Sequence, residues 1–141
     1  MKKHLTAIDL VQNEIDDLNE KASDEILKVE QKYNAERRPM YERRGDIIKN
    51  IPDFWSSAIL NHPQLGTIVD EEEELLLKAL QHIEVEEFDD IKSGYKIKFV
   101  FLPNDYFEND VIVKEYNLNS DNPGIRTTEI RWKEGQSLIQ K

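Results

Sequence analysis

The first 38 residues contain neither glycine nor proline, and an apolar stripe runs along them. Its members recur at steps of three and four, a spacing that keeps side chains on one narrow side of an α-helix. Residues 6–37 alone would extend over roughly 48 Å. A small domain cannot cover so long a helix, so we expect it to pair with a second copy of the chain. This stripe, called the seam below, comprises Ile8, Val11, Ile15, Leu18, Ala22, Ile26, Val29, Tyr33 and Met40.

The ends of this helix carry sequence signals. Thr6 with Asp9 resembles a capping box, which predicts a start near Thr6. Pro39 is a usual stop signal, but Met40 continues the seven-residue spacing from Tyr33. We therefore predict a kink near Pro39 and a helix that resumes to about residue 50. Residues 1–50 form the expected dimerisation helix, and residues 51–141 form the expected second domain.

The second domain is predicted to begin with short helices. Asp53 is expected to cap a helix that ends near His62. Asp70 and Glu73 form a second capping box, in front of a helix whose predicted buried face is Leu75, Leu76, Ala79, Leu80 and Ile83.

From residue 83 onward the hydrophobic period changes from 3.6 to 2, which indicates strands. We predict strands at residues 83–88, 95–102, 111–118 and 125–132, separated by short turn sequences. Short loops between consecutive strands favour a four-stranded antiparallel meander with helices on one face. The predicted fold class is therefore α+β.

The net charge of −10 is unevenly distributed. Residues 51–110 alone carry a net charge of −10, whereas the flanking segments are nearly neutral. Such a surface attracts basic partners in a salt-dependent way. The alternative is that the acidity serves solubility alone.

Several classes of activity are disfavoured. The chain has no cysteine, its three histidines are scattered, and its five glycines form no phosphate-binding loop. No serine stands in a triad-like context. We therefore expect no catalytic residue, no metal, no cofactor, no small-molecule substrate and no enzyme activity. No apolar run approaches the length of a membrane span.

Several stretches stand in one collinear order: EILKVEQKYN (25–34), IPDFW (51–55), NHPQ (61–64), EFDDIKSGYKI (87–97), YFEN (106–109), VKEY (113–116) and TEIRWK (128–133). Together they resemble the nucleosome assembly protein family, and most closely its SET (template-activating factor) branch. The resemblance covers residues 8–136. The expected long helix and α+β domain agree with the backbone helix and "earmuff" domain of that family.

The resemblance implies a histone chaperone: a homodimer with antiparallel backbone helices that binds core histones on the acidic underside of the earmuffs. It also implies a possible weak contact with duplex DNA and shuttling between nucleus and cytoplasm. Family members usually continue beyond the fourth strand into further helices and an acidic tail, which this sequence lacks.

The candidate histone-binding carboxylates are those that cluster beside the short strands. The acidic run at residues 71–74 is a weaker candidate, because a role at a helix N-terminus already explains it. The alternative function is a dimeric acidic scaffold or a regulator of the phosphatase-inhibitor type. The histone-binding candidates are Glu84, Glu86, Glu87, Asp89, Asp90, Glu108 and Asp110.

Overall fold

Helix α1 spans Lys2–Ile48 and includes Pro39. A computed structural model describes residues 1–88, 90–118 and 123–139. The chain divides into two compact units, Met1–Pro39 and Met40–Lys141. The long helix predicted from the seam is thus confirmed, and it continues beyond Pro39 as the spacing of Met40 predicted.

The predicted start of α1 at Thr6 is wrong. The Thr6 hydroxyl donates a hydrogen bond to the carbonyl oxygen of Lys2, at 3.0 Å. This is a bond between neighbouring turns inside a helix, and the helix has already begun one turn earlier. Thr6 therefore does not cap the first turn.

Three short helices follow: α2 at Phe54–Leu60, α3 at Leu65–Ile68 and α4 at Glu71–Leu77. Asp53 precedes α2 but its side chain does not cap the helix, because its backbone is left-handed with φ of 56°. Its carbonyl oxygen instead accepts a hydrogen bond from the Ser56 hydroxyl, at 3.1 Å. The predicted cap of α4 is confirmed, since Asp70 Oδ1 accepts from the Glu73 N–H at 2.8 Å.

The strands are β1 at Leu80–Glu87, β2 at Gly94–Phe101, β3 at Val111–Asn117 and β4 at Gly124–Thr127. They form one antiparallel sheet in the order β1-β2-β3-β4, as predicted for a meander. A 3-10 helix at Ile91–Ser93 lies between β1 and β2.

Two boundaries differ from the prediction. Leu80 and Ile83 belong to β1 rather than to the preceding helix, because α4 ends at Leu77. Strand β4 ends at Thr127 rather than near Trp132. Trp132 instead forms an isolated bridge with Phe107, and their rings meet edge to face with centroids 5.8 Å apart.

The register gives the sheet two distinct faces. Tyr95, Ile97, Phe99 and Phe101 share one face, here called the aromatic face, which Phe107 contacts through the ring of Phe101. The opposite face, here called the polar face, carries charges that alternate in sign. Its charged members are Glu84, Glu86, Lys96, Lys98, Glu115 and Arg126.

Candidate functional site

The acidic candidates on β1 lie in the exposed second half of the strand, Glu84–Glu87. Because strand side chains alternate, Glu84 and Glu86 project on the polar face and Glu87 projects on the other face. These three carboxylates are exposed, but they do not all project on one face of the sheet.

The carboxylates of the polar face have basic neighbours. Glu84 stands opposite Lys98, and Glu86 stands opposite Lys96. The Lys98 ammonium lies 2.8 Å from Glu86 Oε2, and this hydrogen bond raises the pKa of Lys98. On β3, Glu115 lies between Lys96 and Arg126. The face therefore holds three acidic and three basic groups, and much of its charge is balanced locally.

Asp90 has a structural role in addition to its charge. Its Oδ1 accepts a hydrogen bond from the Lys92 N–H at 3.0 Å, and its Oδ2 accepts one from the Ser93 hydroxyl at 3.2 Å. The carboxylate thereby caps the 3-10 helix between β1 and β2. The neighbouring candidate Asp89 lies outside the described residues.

Glu108 and Asp110 lie at the other end of the sheet. The Asp110 carbonyl accepts a hydrogen bond from the N–H of Phe101, the last residue of β2. Phe101 lies five positions along β2 from Lys96, the partner of Glu86, and this corresponds to about 17 Å along the strand. The structure thus divides the predicted carboxylates that it describes into two groups.

The acidic run at the start of α4 is denser than either group. Glu71, Glu72 and Glu74 are exposed, and Glu73 is partly buried. Asp70 alone supplies the side-chain cap of this helix. Sequence reasoning ranked this run low because a helix-terminal role explained it, yet the four following carboxylates are not needed for that cap.

His82 of β1 is a titratable side chain whose pKa is lowered in the folded protein. It packs against Gly45 of α1, whose added Cβ would lie 2.6 Å from His82 Cε1. Its Nδ1 atom is buried without a hydrogen-bond partner in the described part of the chain. Burial, followed by the charge of Lys49, lowers the pKa of His82, against smaller opposing effects of Glu84 and Asp46.

The seam residues of α1 remain open in the single chain. Their large side chains from Ile8 to Met40 are between 45% and 63% exposed, and Ala22 is exposed as well. A nonpolar stripe of this length left half in water is typical of a helix that lacks its partner.

Metal clusters and membrane-spanning helices concern residues 1–88, 90–118 and 123–139, which the structure describes. Within these ranges no three metal-ligating side chains come together in a cluster. Nor do they include a helix with both the length and the apolarity to cross a membrane.

The described architecture matches known proteins. The family model for nucleosome assembly protein (NAP) matches residues 48–141, well over half of the chain. The chain belongs to the nucleosome assembly protein family. It is 57% identical to Protein SET of Drosophila melanogaster over 143 aligned positions, which cover 96% of this chain and 53% of that protein.

Solved structures place the same fold in the NAP family. A nucleosome assembly protein from Plasmodium falciparum superposes with a TM-score of 0.83 and 25% identity, covering 99% of this chain and 75% of that one. The Vps75 histone chaperone shares the fold alone, with a TM-score of 0.61, 18% identity, and coverage of 81% and 57%. The chain spans about half the length of the curated relatives it matches.

Proposed function

We propose that this NAP-family protein is a histone chaperone that binds core histones through carboxylates and shields their basic surface. The observation that carries the proposal is family membership combined with an acidic excess confined to residues 51–110. Lysine and arginine side chains of histones would pair with these carboxylates in place of DNA phosphates. In this proposal the protein acts by binding rather than by catalysis, in the nucleus and the cytoplasm.

Dimerisation through the seam is the second part of the proposal. Two chains joined along α1 would present two acidic units to one histone complex. A second contact made within the same complex benefits from a raised effective concentration, so two weak surfaces can hold their cargo firmly. The half-exposed seam supports this arrangement.

The experiment compares two sets of carboxylates that carry equal charge. One variant, Glu84→Gln with Glu86→Gln and Glu87→Gln, neutralises β1. The control, Glu71→Gln with Glu72→Gln and Glu74→Gln, neutralises α4 by the same three charges. We expect the β1 variant to weaken binding of purified core histones roughly tenfold at about 0.15 M salt, since each exposed ion pair contributes under ~1 kcal/mol.

The outcomes separate the possible sites. A loss confined to the α4 variant would move the histone site to α4. Failure of the unmodified protein to retain core histones at any salt concentration would refute the proposed function.

The charge balance of the polar face favours a second candidate, a dimeric scaffold or a regulator of the phosphatase-inhibitor type. Such a protein would bind its partner through an apolar anchor, and its affinity would depend little on ionic strength. Histone shielding should instead weaken steeply as salt rises, because exposed charges are screened beyond about 8 Å at physiological salt. A salt titration therefore distinguishes the two functions.

A further inference from the structure

Strand β1 is an edge strand, and its hydrogen-bonding pattern can be read from the residues that flank it. The Phe88 N–H donates to the Gly94 carbonyl oxygen at 3.3 Å, directly after the pair formed by Glu87 and Tyr95. In an antiparallel ladder, hydrogen-bonded and non-hydrogen-bonded pairs alternate. The backbone groups of Glu84 and Glu86 therefore face β2, and those of Ile83 and Val85 face away from the sheet.

The outward side of β1 is open at Val85. Among the described residues no strand pairs with this side, since β1 stands at the end of the sheet order. The Val85 side chain is 60% exposed, and its neighbours on both sides are exposed as well. An incoming strand that lies antiparallel to β1 could exchange two backbone hydrogen bonds with Val85, and the same spacing continues to Ile83.

The side chains beside this edge determine which residues an incoming strand should carry. Glu84 and Glu86 flank Val85 and project on the polar face, so two residues of an incoming strand that lie opposite them would meet carboxylates. Opposite charges at such cross-strand positions are favourable, and like charges are unfavourable. On the other face, Val85 and its partner Ile97 offer an apolar contact.

A second copy of the chain fits this edge less well. Pairing of β1 with β1 would bring glutamates of two chains together. The other sheet edge, β4, supplies a single cation, Arg126, over four residues.

We propose that the outer edge of β1 binds an extended basic segment of the histone cargo by β-strand addition, with lysine or arginine at alternate positions and an apolar residue between them. This inference rests on the proposed function and adds a backbone-directed contact to it. Free carboxylates alone would bind any polycation, whereas an edge strand selects a segment that can be extended and that carries its charges in alternation.

The experiment uses the complete chain and a synthetic peptide that alternates lysine with valine over the eight residues of β1. Val85→Pro removes the outward N–H, and Val85→Ala is the matched control that keeps it. Proline is tolerated at edge positions whose N–H faces solvent, so the sheet should persist. We expect Val85→Pro to weaken peptide binding about tenfold and Val85→Ala to weaken it less than about twofold.

Two further readouts do not depend on the fold of the proline variant. A peptide N-methylated at its valines, the residues that would lie opposite Val85 and Ile83, should bind the unmodified protein more weakly than its parent. Its charge is unchanged. Amide hydrogen exchange at Val85 should slow when the parent peptide is added. Both effects are specific to backbone pairing.

Equal binding of the parent and N-methylated peptides, or equal binding by the proline and alanine variants, would overturn the inference. So would slowing of Val85 exchange by protein concentration alone, which would assign the edge to a second copy. None of these results affects the proposed function, which fails only if core histones are not retained.

Discussion

Gly94 shows how a single position can determine whether the sheet forms. Its φ of 127° lies in a region that L-residues with side chains rarely adopt, and a Cβ there would overlap the carbonyl oxygen of Tyr116. Neither problem can be relieved by rotating a side chain, because both involve the backbone. The first residue of β2 therefore has to be glycine.

We predict that Gly94→Ala lowers the free energy of unfolding by about 2–4 kcal/mol. Gly124→Ala, at the first residue of β4, is the matched control, since an added Cβ there meets nothing within 4 Å. Urea unfolding of both variants measures the difference. Equal stability of the two would show that the backbone at Gly94 can adapt.

His82 predicts a pH dependence whose sign follows from its lowered pKa. The folded protein binds this proton less readily than the unfolded chain, whose pKa is near 6.5. Protonation in the unfolded state therefore draws the equilibrium toward unfolding as the pH falls below 6.5. The charged groups that influence this site are Lys49, just after α1, Glu84 of β1 and Asp46 of α1, and each shifts the pKa of His82 by less than burial does.

We predict that stability to urea decreases between about pH 7.5 and 5.5, and that His82→Gln reduces the steepness of this decrease. His4→Gln, at an exposed position of α1, is the control and should leave the slope unchanged. An identical pH profile for His82→Gln and the unmodified protein would contradict the prediction.

Single residues were the least predictable level from sequence. Asp70 and Asp53 both precede a helix, yet only Asp70 has the extended backbone that allows its carboxylate to cap. The left-handed conformation of Asp53 was not indicated by the local sequence pattern. His82 could not be identified either, because its environment is formed by Gly45, which is 37 positions away in sequence.

At the scale of elements, the seam of α1 carries the clearest expectation. We predict that Leu18→Glu with Ile26→Glu prevents dimerisation and yields monomers or insoluble protein, because two charges would enter an apolar interface. Asn13→Glu with Ser23→Glu adds the same charge at positions off the seam and is the control. Sedimentation analysis gives the mass, and an intact dimer of the seam variant would refute the assignment.

Element types were predictable because the change of hydrophobic period from 3.6 to 2 is strong, whereas their ends depend on distant contacts. Strand β4 shows the reason. Beyond Thr127, the alternating pattern continues toward Trp132, but Asn109 holds this segment through hydrogen bonds to the Glu129 carbonyl and the Arg131 N–H. Hydrogen bonds to the buried side chain of Asn109 thus replace the strand pairing that the pattern predicted beyond Thr127.

At the scale of the whole molecule, the fold class followed from the order of the predicted elements, and the family followed from short collinear stretches that resemble it. The candidate site was predicted from the sequence less well than the fold was. Charge counts along the chain located the acidic excess in residues 51–110, but they could not show that Lys96 and Lys98 stand opposite the glutamates of β1. Strand pairing brings together charged side chains that are far apart in sequence.

The alternation of charge on the polar face has a consequence for how a partner approaches. Positive and negative groups a few ångströms apart form a multipole, whose potential decays much faster with distance than that of a net charge. A distant cation therefore responds to the net charge of residues 51–110, and it distinguishes the individual groups of the polar face only on close approach. Long-range attraction would then depend on the net charge, and final docking would depend on the order of charges along the strands.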